Sequence, residues 1–500
     1  MGIAQLQLVS YGKENEYFNL NPSITFFRQV YKKYTNISNE ILPQYFRASP
    51  NFGRRLSTKI SKNSDLIKDI SIYFELPDIP ISSHSILPAN IKQFAWTNSI
   101  GFAIINYIDL EIGGVHISRH YGDWLNIAYE TSIQHDLGYD KNIGKNITLL
   151  TDYSMGKQNY KLYIPLSFFF NDSIEGGFPL ISIAKQDIEI HVELNDFSQC
   201  YKQSPTHYFE IDSFICLFAN NEIISQNVDG IKSAGTFVYF DIPTKRVYYN
   251  LLYGTFIIPP NIGNIKYNIT GNITGFITQP SLTTLIIKDE NYFNTNFPAL
   301  KDAYILVNYI YLDTDERWYF LNTDLEYVVP LVSSTIEKDI TGLNCLYSLK
   351  LVNPHKVLYW RAQLNSNVII NDGFNYSSLP ITEHDEPLIQ NNKLLINSIP
   401  RNEIYNNEFY TKVQPHINHI FGNIYGSHKM QNIYMYSFGF NPLKYKPEGT
   451  MNFSMVDDAT LQLSLNKLVS YSNSINIRAY GLYYNILVIK NGNCSMKYFL

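Results

Sequence analysis

The stretch that decides the fold is residues 96–130, WTNSIGFAIINYIDLEIGGVHISRHYGDWLNIAYE. Before its paired glycines, apolar Ile108, Leu110 and Ile112 alternate with polar Asp109 and Glu111, the period-two pattern of a half-buried strand. Gly113 and Gly114 then supply two residues able to take positive φ, as a two-residue type I′ hairpin turn requires. The expected register sets Ile112 against Val115, Glu111 against His116, Leu110 against Ile117 and Asp109 against Ser118. One face is then apolar on both strands, so burial pins the pairing. Beyond the hairpin the period changes: Tyr121, Trp124, Leu125 and Ala128 fall at i, i+3, i+4 and i+7, predicting a short amphipathic helix. The segment holds no nucleophile, metal cluster or phosphate loop. It reads as architecture, not chemistry.

Similar runs recur from residue 40 to the C-terminus. In residues 186–194, Ile188, Ile190, Val192 and Leu194 line one face while Asp187, Glu189, His191 and Glu193 line the other. Residues 68–76 before Pro77 read as another strand. Many short strands, few helices and Pro and Gly at the joints predict an all-β fold of sandwiches or jelly rolls. A chain of 500 residues implies two to four domains. The expected division is an N-terminal arm at 1–22, a first sandwich at 23–219 and a second at 220–500, with the polar stretch 220–232 at the joint. Phe168, Phe169 and Phe170 cannot alternate and are expected to be buried on both sides or at a domain contact. The last strand, at 480–490, is apolar at both parities and should be covered on both faces. The second unit owes its extra length to 263–275 and 365–392, rich in Asn, Gly, Thr, Ser and Asp and expected as surface loops. No self-similarity between the halves is visible residue by residue.

Charged residues are 17% of the chain against a usual ~25%, and there are 40 Tyr and 30 Phe, so a large core is available alongside Tyr-rich surface. A net charge of −5 argues against a dedicated nucleic-acid binder. The local basic groups, Arg28, Lys32, Lys33, Arg54, Arg55, Lys59 and Lys62, read as solvated faces; a basic inner surface facing anionic lipid or DNA is the other reading. Cys200, Cys216, Cys345 and Cys494 have no CxxC spacing and no His companions, which fits reduced thiols rather than a zinc site or a disulfide framework. No signal peptide or membrane-spanning run is expected. Met1-Gly2 lacks the downstream Ser or Thr of a myristoylation motif, since Leu6 stands there.

The clusters of chemically capable residues have simpler readings. His416 and His419 could share a helical face, but no carboxylate or Cys lies within five residues and Pro415 weakens a helix, so no metal is expected. The group Glu383, His384, Asp385 and Glu386 reads as a solvated acidic loop. Asp313, Asp315 and Glu316 resemble the start of a calcium loop but lack its sixth-position Gly and twelfth-position Glu. No catalytic residue, cofactor or metal is expected. Among eight sequons (Asn36, Asn146, Asn171, Asn268, Asn272, Asn375, Asn452 and Asn493), Asn268 and Asn272 are the candidate exposed glycan acceptors.

Beyond these patterns, the chain resembles a known family along its whole length. The 96–130 segment, LQLVSYG at 6–12, NPSITFF at 21–27, Val30-Tyr31, KLYIPLSFFF at 161–170, YLDTDER at 311–317, PEGTMNFS at 447–454 and DATL at 458–461 occur in the order of the double jelly-roll major capsid proteins of nucleocytoplasmic large DNA viruses, the iridovirus, phycodnavirus and mimivirus relatives. The resemblance implies two consecutive eight-stranded antiparallel jelly-roll sandwiches, with a few short helices and long loops in the second. It also implies a homotrimer that forms a pseudo-hexagonal capsomer in an icosahedral shell assembled in host cytoplasm. The partners implied are further copies of the chain, minor capsid proteins and an inner viral membrane reached through the 1–22 arm, with no specific nucleic acid. A minor capsid paralogue, or a carbohydrate-binding jelly-roll protein, is the alternative.

Overall fold

The computed structural model describes residues 33–500 except 81–92, 132–136, 172–176, 220, 261–264, 287–297, 378–386, 404–405, 419–431, 467–468, 470–473 and 499–500, together with 5, 9, 12, 13, 20–23 and 25. The alternating runs form Ile37–Tyr45 (β1), Arg55–Lys59 (β2), Leu66–Leu76 (β3), Ile105–Ile112 (β4), Val115–Tyr121 (β5), Tyr160–Pro165 (β6) and Ile188–Leu194 (β7). Shorter strands follow: His207–Glu210 (β8), Ile223–Val228 (β9), Ile231–Asp241 (β10), Arg246–Tyr253 (β11), Ile269–Gly271 (β12), Ile277–Thr278 (β13) and Leu282–Ile286 (β14). Asp302–Leu312 (β15) precedes Leu325–Ile340 (β16), Asn344–Ser348 (β17), Pro354–Leu364 (β18), Ile389–Ile396 (β19), Ile399–Pro400 (β20), Tyr434–Ser437 (β21), Ala459–Leu465 (β22) and Ile475–Lys490 (β23). Helices Gly122–Thr131 (α1) and Thr314–Asn322 (α2) lie after β5 and β15.

The sheets run β1-β15-β3-β6 and β2-β7-β4-β5, then β16-β23-β18-β21 and β17-β22-β19-β20. Counting the eight strands within each sandwich, both read 1-8-3-6 and 2-7-4-5. The chain is two jelly rolls of identical topology, although no repeat shows in the residues.

The strands do not divide where the sequence suggested. The eighth strand of the first jelly roll is β15, paired with both β1 and β3. Everything between β7 and β15 is therefore an insertion, and the boundary expected at 219/220 moves to the stretch between β15 and β16. Most of that insertion is a separate sheet, β13-β12-β9-β10-β11-β8-β14, around a core of Phe209, Ile224, Phe237, Val247, Tyr249 and Ile269. Its edge strands β13 and β14 are separated by only three residues. A flat sheet would hold them about 29 Å apart at roughly 4.8 Å per strand. Four peptide steps span at most about 14 Å. The inserted sheet is consequently rolled, bringing its edges together. Of the stretch 263–275, expected as a loop of the second unit, residues 265–275 lie in this sheet as β12 and its flanks. The polar run expected at the joint holds β9 and the exposed hairpin turn that leads into β10.

In the decisive hairpin, Gly113 (φ 59°) and Gly114 (φ 79°) make the turn. Ile112 faces Val115 and Glu111 faces His116, but a bulge then shifts the register, so Leu110 faces Ser118 and Asp109 faces Arg119. Buried Asp109 thereby gains both Arg119 Nε (2.6 Å) and Nη2 (2.7 Å) rather than a serine hydroxyl. A polar–apolar pattern cannot register such a bulge. Phe168, Phe169 and Phe170 are all buried.

Strands β16 and β23, sixteen residues each, run through both cores. Ile340, Ile475, Ile477 and Ala479 belong to the second jelly roll's core, whereas Leu325, Val329, Leu331, Leu487 and Ile489 pack into the first's. This accounts for the apolar residues at both parities near the C-terminus.

Candidate functional site

Few of the residues singled out for chemistry are brought together. Asp313 caps α2, its carboxylate accepting from Thr314 N at 2.7 Å, and Asp315 and Glu316 occupy that helix's first turn, where negative charge suits the positive end of the dipole. His416 is exposed in a short helical segment that also contains Pro415; His419 and residues 383–386 lie outside the described residues. All four cysteines are unpaired. Among the described residues no group of His, Cys, Asp and Glu could hold a metal, and no helix is long and apolar enough to cross a membrane. Fifteen of the 22 residues of the 1–22 arm lie outside the described residues.

What the fold does build is a seam between the jelly rolls. Helix α1 has two apolar faces. Leu125 and Tyr129 face the first core, while Trp124 and Ile127 pack on Val357, Tyr359, Met435 and Tyr480 of the second jelly roll. The Trp124 ring lies 5.2 Å from that of Tyr480 and 5.9 Å from Tyr359. One turn of helix thus ties its own sandwich to the outer face of the next.

At the start of α1, Asp123 is buried among cations. Its Oδ2 accepts from Arg361 Nη2 at 2.8 Å, and its Oδ1 from Arg478 Nη1 at 3.1 Å, from Trp124 N at 3.1 Å and from the Tyr480 hydroxyl. Burial opposes ionisation of this carboxyl, but Arg478, Arg361 and the Tyr480 hydroxyl outweigh it and hold the group below its ordinary value. The second guanidinium charge is spread over rings: Arg478 sits 3.8 Å from the Tyr121 centroid and 5.3 Å from Tyr480, and Arg361 5.3 Å from Tyr376.

Residues 371–375, within the 365–392 run expected as a surface loop, supply a second part of the seam. Asn371 Nδ2 donates to the carbonyls of Ser198 and Tyr201, both at 2.6 Å. Asp372 pairs with Lys202 and accepts from Asn375 Nδ2 at 2.8 Å. Burial would raise the Asp372 carboxyl; Lys202 keeps it below its ordinary value. Further along the seam, Gln186 Oε1 accepts from Cys494 N at 2.7 Å. Periodicity identified α1 but not its partners, and the Asn-rich composition of 365–392 signalled hydrogen bonding rather than exposure.

The two candidate glycan acceptors lie on the inserted sheet. Asn272 is exposed at a turn, its Oδ1 accepting from Ile223 N at 3.2 Å; Asn268 is half-buried, accepting from Gln279 Nε2 at 2.6 Å.

Comparison with known proteins places this geometry. A family model described as major capsid protein N-terminus matches residues 25–250, and one described as large eukaryotic DNA virus major capsid protein matches 316–495. The second match begins close to where the second jelly roll does. The chain is 32% identical to "Probable capsid protein 4" of Acanthamoeba polyphaga mimivirus, covering 96% of each. It is 24% identical to the major capsid protein of Paramecium bursaria Chlorella virus 1, covering 92% of this chain and 86% of that one. Of solved structures, PBCV-1 VP54 is similar at a TM-score of 0.62 (20% identity, 95% of this chain and 100% of that one). The Faustovirus major capsid protein is similar at 0.63 (10% identity, 93% of both). At these identities the structures speak to fold alone.

Proposed function

The chain belongs to the family of large eukaryotic DNA virus major capsid proteins, and from that premise we propose that three copies close into a pseudo-hexagonal capsomer that tiles an icosahedral shell. The family is structural, not enzymatic, and its members are virion components. What supports the finer reading is the internal duplication: two jelly rolls of identical strand order lie side by side across one seam, part apolar and part charged. A unit that already repeats once needs only a rotation that closes to make a ring, and closed symmetry is the usual solution for identical chains. On this reading the partners are further copies of the chain and minor capsid proteins, assembly takes place in host cytoplasm, and the 1–22 arm faces an inner membrane. Asn272, exposed at its turn, is the better glycan acceptor of the two candidates. No specific nucleic acid is required.

A second reading has one observation behind it. The mimivirus relatives carry several different capsid protein numbers, and this chain covers 96% of number 4 but only 49% of capsid protein 1. A minor capsid paralogue of the same fold fits that pattern. Light scattering on the purified chain, with electron microscopy of the particles, tests the main reading. A mass three times 57.8 kDa with hexagonal outlines is expected; a monodisperse monomer or a dimer overturns it. Low copy number in virions would favour the paralogue.

A further inference from the structure

Beside the start of α1 the seam opens into a cleft of about 480 Å³. Exposed residues frame its mouth, Ser198 and Gln199 from the first jelly roll and Val368 and Ile369 from the second. Among the described residues, the charged groups that line it are Asp123, Arg361 and Arg478. Lys202 and Asp372, further along the seam, balance each other. Two cations therefore share one carboxylate, and the cleft wall carries one net positive charge.

The two arginines stand directly opposite each other, Arg361 on β18 paired in register with Arg478 on β23. Like charges at opposed positions of neighbouring strands repel, so this pair is costly unless anions lie against it. Asp123 is one such anion. The Tyr480 hydroxyl is not a second, because burial and the Asp123 charge hold its proton on far above the ordinary tyrosine range. Donors are also left over. Arg361 gives the carboxylate Nη2, and its Nε and Nη1 are buried without an acceptor; Arg478 gives it Nη1, and its Nε is buried without one. The rings of Tyr376 and Tyr121 take up charge over their faces but offer these N–H groups no oxygen. Buried donors without acceptors are rare in native proteins, and a bound water or ion is a common reason for them. The Arg478 side chain is the more open of the two, 14% exposed against 7% for Arg361.

We propose that this cleft is an oxyanion site, taking one phosphate or a similar small tetrahedral anion against the Arg478 guanidinium, with Arg361 supplying the second positive charge behind it. A guanidinium stays charged at every physiological pH, and its planar donors match the oxygens of such an anion. The bound anion neutralises the charge that Asp123 leaves over. It also joins the two jelly rolls, since the cleft exists only where α1 meets β18 and β23. A ligand that binds only the folded seam stabilises the folded chain by mass action.

The test uses the full chain in phosphate-free buffer at neutral pH, with inorganic phosphate exchanged for chloride at constant ionic strength. Calorimetric titration should show one saturable site per chain, and the melting temperature should rise over the same concentrations and then level off. Arg478→Gln, which leaves Asp123 paired with Arg361, should weaken phosphate binding at least tenfold. Gln199→Glu sets a carboxylate at the exposed mouth without touching the Asp123 cluster and should weaken it severalfold, so the test stands even if Arg478→Gln fails to fold. Asp123→Asn removes the competing carboxylate. That variant should bind phosphate at least tenfold more tightly and regain in phosphate part of the stability it has lost, which a purely structural role for these arginines does not predict. No saturable uptake by the unmodified chain overturns the site. So does a rise in melting temperature that continues without levelling and is the same in all variants, the mark of a general salting effect.

Discussion

Asp123 of the first jelly roll accepts a hydrogen bond from Arg361 of the second at 2.8 Å, their side chains only 11% and 7% exposed. With Arg478 on the same carboxylate, one negative group offsets two guanidinium groups at the centre of the seam. Removing it leaves buried cations without a counter-charge, a change that typically costs about 3–5 kcal/mol. Asp123→Asn should therefore destabilise the chain by that order in denaturant unfolding. Replacing Asp123, Arg361 and Arg478 together by apolar residues of similar volume should cost much less. Equal losses for the two variants would show that the charges are not what holds the seam.

Three buried histidines set an acid limit. Burial pushes the His120 imidazole down to about 3, with Asp109 and His116 making smaller, opposing contributions, and His207 and His355 to about 4. In each case the unfolded chain, with an ordinary value near 6.5, binds the proton first. Stability is full above about pH 6.5 and falls as pH drops toward 4, by an order of 3 kcal/mol per histidine. His355→Gln should flatten part of that slope in melting temperatures measured from pH 7.5 to 4.5. Asp109, held at about 2 against burial by His116 and Arg119, has the depressed carboxylate sign and loses its contribution only below about pH 3.8. A stability curve flat between pH 6.5 and 4.5 would contradict this account.

Periodicity made the local elements legible and left their distant partners hidden. The hairpin, α1 and β7 could be read because each has one face buried, and burial imposes a period. The partners of Asp123 lie 238 and 355 residues away, and nothing local marks them. The same holds for β15, which completes a sandwich begun at β1 after the intervening sheet has been made. The inserted sheet escaped notice because strands as short as the three residues of β12 carry no period, and its Asn and Gly content resembles a loop. Along 365–392, composition misled in the other direction. Asn367, Asn375 and Ser377 are buried, and their polarity is used in hydrogen bonds.

The two turn glycines should respond differently to the same substitution. Both have positive φ, so a side chain at either position costs about 1–2 kcal/mol in backbone strain. A Cβ at Gly114 meets open space, whereas one at Gly113 would come within 2.7–2.9 Å of the Gln186 side chain. That side chain accepts from Cys494 N across the seam. Gly113→Ala should cost roughly 1 kcal/mol more than Gly114→Ala, and the difference should vanish in a Gln186→Ala background. Equal costs in the unmodified background would show that Gln186 yields freely.

Glu222 anchors the turn that presents Asn272. Its buried carboxylate accepts from Ala219 N at 2.7 Å, Ile273 N at 2.7 Å, Thr274 N at 2.6 Å and the Thr274 hydroxyl at 3.0 Å. Burial alone would raise this carboxyl, but the converging backbone amides keep it below its ordinary value. Glu222→Ala leaves those amides without an acceptor and should cost roughly 2–4 kcal/mol. The loss should fall on the inserted sheet, which has its own core, rather than on the jelly rolls. Limited proteolysis should then cleave the variant between residues 271 and 277 well before any cut in the sandwiches, while the unmodified chain resists there. Glu222→Gln, which keeps one acceptor oxygen, should lie between the two. A cleavage pattern indifferent to both substitutions would mean that the turn is held by its strands and not by the carboxylate.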